Sequence, residues 1–267
     1  MTLAHAQTMT PRWALILGAS SGFGEACARA LSKAGYDIAG VHLDRKAGMP
    51  HVEEIRAAIA RDGRRALYFN ANAADEEKRK EILDAMAAEL KQNGGTIAVL
   101  MHSLAFGTLK PYIADDQLNK ANIDMTLDVM AHSLVYWAQD CVKRDMMAPG
   151  GRIFSMTSSG STRVIPSYGA ISAAKCALES HSRQLSLELA SRGITVNALR
   201  GGVTRTPASE RIPGSDVLFS EAARRNPYKR LTTPEDVAKA VVALCSPLTD
   251  WVTGNVINVD GGEEITA

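Results

Sequence analysis

Short apolar runs of strand length alternate along the chain with longer segments whose apolar residues return every three or four positions. That is the pattern of a parallel sheet covered by helices on both faces. Seven runs read as strands: Trp13 to Leu17, Ile38 to Leu43, Ala66 to Asn70, Ile97 to His102, Arg152 to Met156, Thr195 to Leu199 and Val256 to Val259. Helices are expected to start near Phe23, Val52, Glu76, Asn119, Tyr168 and Glu235. The fold class that follows is α/β, a Rossmann-like doubly wound parallel sheet of seven strands with helices on both faces. Thr233-Pro234-Glu235-Asp236 has the cap residue, first-position proline and first-turn acids of a helix start. Asn93-Gly94-Gly95 and Pro149-Gly150-Gly151 read as helix ends. One long helix from about Asn119 to Met147 would carry Ile123, Leu127, Met130, Leu134 and Cys141 as a single stripe. No repeat or linker divides the chain, so one domain over residues 1–267 is expected, with residues 1–10 flexible. The stretch from Pro207 to Asn226 breaks the rhythm with two prolines and a glycine. Long irregular loops in compact domains often cover sites, and a substrate-binding flap is expected here.

Composition narrows the class. Apolar residues make up 46% of the 267, enough for a substantial core, and 30 Lys plus Arg against 29 Asp plus Glu leave a formal charge of +1. No charge imbalance draws the chain to nucleic acid or to an anionic membrane. No apolar run approaches the roughly 18 residues of a spanning helix, and Met1 to Pro11 lacks the features of a signal peptide. A soluble, cytoplasmic protein is expected. Cys27, Cys141, Cys176 and Cys245 are far apart and form no CxxC pair, so neither a metal site nor a disulfide framework is expected, and all four read as reduced core fillers.

Chemistry enters with two motifs. After the first strand comes Gly18-Ala19-Ser20-Ser21-Gly22-Phe23-Gly24, then an amphipathic helix. A glycine-rich turn between strand and helix lets backbone N–H groups close on a pyrophosphate, helped by the helix dipole. The second strand ends in Val41-His42-Leu43-Asp44-Arg45-Lys46. A carboxylate at that end suits the ribose of NAD, whereas a 2′-phosphate wants a cation. The pattern is read as favouring NADPH, with Arg45 as phosphate partner and NADH as the alternative. The second motif is Ser158, Tyr168 and Lys175. Seven residues on a helix are nearly two turns, so Tyr168 and Lys175 would emerge on one face about 10 Å apart. An ammonium there stabilises a phenolate and can also grip the ribose hydroxyls of a nicotinamide cofactor.

From Pro11 to Gly262 the chain resembles the short-chain dehydrogenase/reductase superfamily, whose tail is matched by Gly254-Asn255-Val256-Ile257-Asn258-Val259-Asp260-Gly261-Gly262. The usual tyrosine of that superfamily stands four residues before the lysine, where this chain has Ile171. Tyr-x6-Lys resembles instead the bacterial enoyl-acyl-carrier-protein reductases. Met101-His102-Ser103-Leu104-Ala105-Phe106 is similar to their segment after strand four, and Asn197 through Thr206 aligns on their segment before the flap. The catalytic asparagine of carbonyl-reducing members is absent from Met130-Ala131-His132-Ser133. The resemblance implies a cofactor held by Gly18, Ser20, Ser21, Gly22, Phe23 and Gly24 at the phosphates. It places His42 where the superfamily's acid stands, Asn72 and Ala73 at the adenine, and Ser103, Leu104, Val203, Thr204, Thr206 and Lys175 toward the nicotinamide. The catalytic group would be Tyr168, Lys175 and Ser158, with no metal. Many relatives carry a second tyrosine where Ser158 stands, so Ser158 either assists at the substrate carbonyl or caps its strand. His102 and His132 read as packed or hydrogen-bonded residues. The implied activity is reduction of a trans-2-enoyl thioester on acyl carrier protein or coenzyme A in fatty-acid synthesis. The alternatives are a carbonyl or alcohol oxidoreductase of the same superfamily and a nucleotide-sensing protein without turnover. A homotetramer built on the long helix, its successor and Val259 to Gly262 is implied as well.

Overall fold

The computed structural model describes residues 10–266; residues 1–9 and 267, including most of the stretch expected to be flexible, lie outside the described residues. Seven strands form one sheet: β1 (Arg12–Leu17), β2 (Asp37–His42), β3 (Ala66–Asn70), β4 (Thr96–His102), β5 (Arg152–Thr157), β6 (Thr195–Gly201) and β7 (Val256–Val259). All pairings are parallel, in the order β3-β2-β1-β4-β5-β6-β7. The chain runs outward from β1 through β2 to β3 and then returns to β4 on the other side. Loops leaving β1 and β4 therefore part and open a crevice at their C-terminal ends.

Alternate residues of β1 supply two cores, as the pleat requires. Trp13, Leu15 and Leu17 pack with Leu83, Trp137 and Leu178, from the helices α3 (Glu76–Asn93), α5 (Ser133–Lys143) and α6 (Gly169–Leu189). Ala14 and Ile16 pack with Leu31, Ile55 and Val237, from α1 (Gly22–Lys33), α2 (Met49–Arg61) and α8 (Pro234–Leu244). Local chemistry sets the ends. Thr233 and Asp236 close a reciprocal capping box on α8, and α3 stops at Gly94, whose φ of 71° suits glycine. Among the described residues, no helix is long and apolar enough to cross a membrane.

Several expectations need correction. The long helix is interrupted: α4 (Lys120–Leu127) passes into a π-helical turn over Asp128–His132 before α5 begins, and α5 ends at Lys143. Ser133 Oγ donates to the Val129 carbonyl at 2.8 Å and bonds His102 Nε2, also at 2.8 Å, so a side chain from β4 is tied to the helix where its ladder widens. Pro149-Gly150-Gly151 is not a helix end. It is the turn into β5, with Gly150 N–H donating to the Gly193 carbonyl. The irregular stretch after Pro207 contains a helix, α7 (Ser215–Arg225), which begins after Gly214 and buries only Phe219 and Ala222. Of the cysteines, Cys27 and Cys141 are buried, but Cys176 is exposed and fills no core.

Gly24 allows α1 to approach β1, because a Cβ there would lie 1.9 Å from the Gly18 carbonyl oxygen. Gly24→Ala is expected to cost about 3 kcal/mol, as backbone clashes in a packed interior do. A thermal melt checks this, and an unchanged midpoint would contradict it.

Candidate active site

The turn after β1 is tied to β2, with Gly18 N–H and Ala19 N–H both donating to the Val41 carbonyl. Gly18 has φ of 88°, and a Cβ there would meet the Ser103 carbonyl oxygen at 2.4 Å. The end of β4 is thus pressed onto the turn. Ser21 leads into α1 without a side-chain cap, so the first N–H groups of α1 point free into the crevice. Open backbone donors, a glycine cradle and a helix dipole at a topological switch point fit the pyrophosphate of a dinucleotide.

Two connected cavities line this crevice. The outer one is bordered by Gly18, Ser20, Ser21, Gly22, Phe23, His42, Asn72 and Ala73. The inner one is bordered by Ser158, Tyr168, Lys175, Val203 and Thr204, and Ser103, Leu104 and Thr206 border both. Of the residues expected at the cofactor, Gly24 and Arg45 border neither cavity. Gly24 serves the close approach described above. Arg45 is exposed outside the crevice, and Asp44 is the charged residue at the end of the second strand that borders the outer cavity. Asp44 is fixed from three sides. Its Oδ2 bonds His42 Nδ1 at 2.9 Å, its N–H donates to Asn70 Oδ1, and its carbonyl accepts from Asn70 Nδ2.

The inner cavity gathers the second motif. Tyr168 is the cap residue of α6, preceded by Ser167 at φ of 61°, a left-handed conformation that turns the chain sharply into the helix. Gly160 makes room for its ring, since a Cβ there would lie 2.5 Å from Tyr168 Cε1. The phenol oxygen is 3.5 Å from Ser158 Oγ, and Ser158 Oγ accepts from Gly160 N–H at 2.9 Å. That bond fills one of the serine's two acceptor sites, and its O–H can still donate. Burial pushes the Tyr168 phenol up from its ordinary range, with the Ser158 contact opposing the shift.

Lys175 is buried and donates to the Met156 carbonyl at 2.7 Å. Burial lowers its ammonium from 10.5 to about 8, and the Glu179 carboxylate acts in the opposite direction. Glu179, one helical turn beyond, accepts from Thr157 Oγ1 at 2.7 Å, Ser161 Oγ at 2.7 Å and Arg200 Nη2 at 3.2 Å. The sequence reading missed this carboxylate, although an acid four residues after the lysine on one helix face could have drawn attention to it.

His102 and His132 are both hydrogen-bonded to side chains of the protein. Because Ser133 donates to Val129, it accepts from His102, so Nε2 carries the proton of a ring that burial holds near 3. His132 Nδ1 meets His181 Nε2 at 3.0 Å. Much of the remaining wall is apolar, including Phe106, Met130, Ile165, Ile212 and Leu218. Ile171, at the superfamily's usual tyrosine position, also borders the inner cavity. Among the described residues no group of three His, Cys, Asp or Glu could hold a metal.

Comparison with known proteins points the same way. Residues 18–264 match the family described as Enoyl-(Acyl carrier protein) reductase. The enoyl-[acyl-carrier-protein] reductase [NADH] 2 of Rhizobium meliloti is 32% identical over 188 residues, 69% of each chain. The crystal structure of FabI from Candidatus Liberibacter asiaticus superposes with a TM-score of 0.84 at 25% identity, covering 96% of each chain. The promiscuous reductase LugOII, which catalyses keto-reduction at C1 during lugdunomycin biosynthesis, superposes with 0.82 at 26% identity, covering 96% of this chain and 98% of its own.

The lowered Lys175 ammonium carries a pH signature. Between pH 8 and 10.5 the unfolded chain binds a proton there that the folded chain has lost, so this group's contribution to stability rises with pH across that window. Lys175→Met is expected to remove about 3 kcal/mol of that pH dependence. Urea midpoints for both proteins at pH 7.5 and 10 measure it, and parallel pH curves would contradict it.

Proposed function

The chain belongs to the enoyl-acyl-carrier-protein reductase family, and on that premise we propose that it reduces trans-2-enoyl thioesters with NADH. The observation that carries the reading is the pair Tyr168 and Lys175, seven residues apart and bordering one cavity, with Ile171 in place of a nearer tyrosine. The substrate is an enoyl chain on acyl carrier protein or coenzyme A, lying along the wall of Phe106, Met130, Ile165 and Leu218. A bound dihydronicotinamide supplies the hydride that reaches the β carbon. As it arrives, the thioester oxygen gathers negative charge, the Tyr168 O–H donates to it, and a proton from solvent adds at the α carbon to give the saturated thioester. Ser158, whose hydroxyl lies 3.5 Å from the phenol oxygen, offers a second donor to the thioester oxygen. Lys175 keeps positive charge beneath the phenol and holds the ribose hydroxyls, while Glu179 favours its charged form. The segment from Pro207 to Asn226, which contributes Ala208, Ser209, Arg211, Ile212 and Leu218 to the cavity walls, closes as a flap over the acyl chain.

NADH replaces the NADPH expected from sequence. Asp44 at the outer cavity accepts hydrogen bonds from ribose hydroxyls and repels a 2′-phosphate, and Arg45 stands outside. His51, also at the outer cavity, is paired with Glu25 at 2.9 Å and Glu54 at 3.4 Å, which offsets its charge toward a phosphate. The relatives named above include one named for NADH. Assembly as a homotetramer through α5, α6 and the C-terminal segment belongs to the same reading, supported by the exposed Leu187 on α6 and Trp251 before β7.

A keto-reducing neighbour makes carbonyl reduction the rival to test. Crotonyl thioester is expected to oxidise NADH at least tenfold faster than acetoacetyl thioester at equal concentration, and the reverse order would overturn the assignment. A donor aimed at developing charge is worth about 3 kcal/mol, so Tyr168→Phe should lower kcat about a hundredfold while the NADH Kd changes less than twofold. Asp44→Ala should narrow the preference for NADH over NADPH about tenfold, read from the ratio of kcat/KM values. An unchanged ratio would remove Asp44 from cofactor selection.

A further inference from the structure

A dinucleotide brings two negative charges into the crevice at its diphosphate. Among the residues bordering the two cavities, only Lys175 and Arg211 are lysine or arginine. Lys175 is deep in the inner cavity and already bonded to the Met156 carbonyl. Arg211 borders both cavities, at the level where they join. It lies in a short 3-10 turn, Ser209–Arg211, just past Thr206. Thr206 in turn packs on the phosphate turn, since a Cβ on Gly22 would sit 3.3 Å from Thr206 Cγ2. The backbone carrying Arg211 is therefore anchored directly over the N-terminus of α1.

That anchor is well fixed. Thr206 N–H donates to Ser209 Oγ at 2.9 Å, Ser209 Oγ donates to the Thr204 carbonyl at 2.7 Å, and Glu210 N–H donates to the Thr206 carbonyl at 3.0 Å. Neighbouring cations on the same segment are already engaged. Arg205 pairs with Glu210 and lies over the Phe219 ring, Arg224 pairs with Glu221, and Arg225 pairs with Glu263. Arg211 makes no ion pair with any described carboxylate and is exposed at the crevice. A guanidinium offers paired donors suited to phosphate oxygens and keeps its charge at every working pH.

We propose that Arg211 is a cofactor-specific clamp, closing from the flap onto the diphosphate of the bound dinucleotide opposite the N–H groups of α1. The inference rests on the dinucleotide reading of the crevice, not on the identity of the reduced substrate. It gives the flap a reason to close on cofactor before the acyl chain arrives: its own charge is neutralised there. The clamp is a contact of this chain's own residue, and Lys should replace Arg only in part, because an ammonium lacks the planar paired donors with which a guanidinium meets two phosphate oxygens.

The test is binding without turnover. Titrating NADH and ADP-ribose by tryptophan fluorescence or calorimetry into the parent protein, Arg211→Gln and Arg211→Lys should give Kd values raised about tenfold in the glutamine variant and less in the lysine variant. Most of that difference should vanish at high salt, where an exposed charge is screened. Limited proteolysis between residues 205 and 219 should be slowed by ADP-ribose in the parent and not in Arg211→Gln. Equal Kd values and equal protection would overturn the clamp. So would an unchanged NADH Kd together with a raised KM for a coenzyme A thioester, which would assign the guanidinium to a substrate phosphate. Failure of the parent to bind either nucleotide would overturn the dinucleotide reading itself and the clamp with it.

Discussion

The structure turns on a buried ammonium. Lys175 sits where water is scarce, and a cation there is costly unless its surroundings compensate. Compensation comes from the Met156 carbonyl at the end of β5 and from Glu179 one turn along α6. Glu179 is held in place by Thr157, Ser161 and Arg200, which come from β5, from the loop after it and from β6. Two central strands and one helix are thereby registered around a single charge. Tyr168 borders the same cavity, and burial raises its phenol while the Ser158 contact opposes that shift.

Everything else in the crevice is arranged about that pair. The turn Gly18 to Gly24 and the end of β4 are packed so closely that side chains are excluded between them, which leaves the backbone N–H groups of α1 bare. The apolar wall is contributed by the segment after β4, the π-helical turn and the flap. Such a wall lowers the local dielectric and strengthens each donor aimed at the substrate oxygen. Asp44 and Arg211 place opposite charges on the lining of the outer cavity.

Much of this was legible in the chain. Inner parallel strands are buried on both faces and read as apolar runs. The edge strands Ala66–Asn70 and Val256–Val259 are short runs bounded by polar or glycine residues, so all seven fell within two residues of their observed boundaries. The glycine turn and the Tyr168 to Lys175 spacing were legible because each depends on local geometry. What the sequence concealed depends on contacts between distant residues. The break in the long helix needs His102 to meet Ser133 across 31 positions. Arg45 and Asp44 are adjacent in the chain, and only the fold decides which of them turns toward the crevice. The helix α7 has a weak apolar face and follows Pro213-Gly214, so local pattern argued for a loop.

The most direct test of the account is the fate of the hydride. With NADH carrying deuterium at both positions of nicotinamide C4 and crotonyl-coenzyme A as substrate, the butyryl product should carry one deuterium at its β carbon, read by NMR. Absence of label at that carbon while the cofactor is oxidised would contradict it.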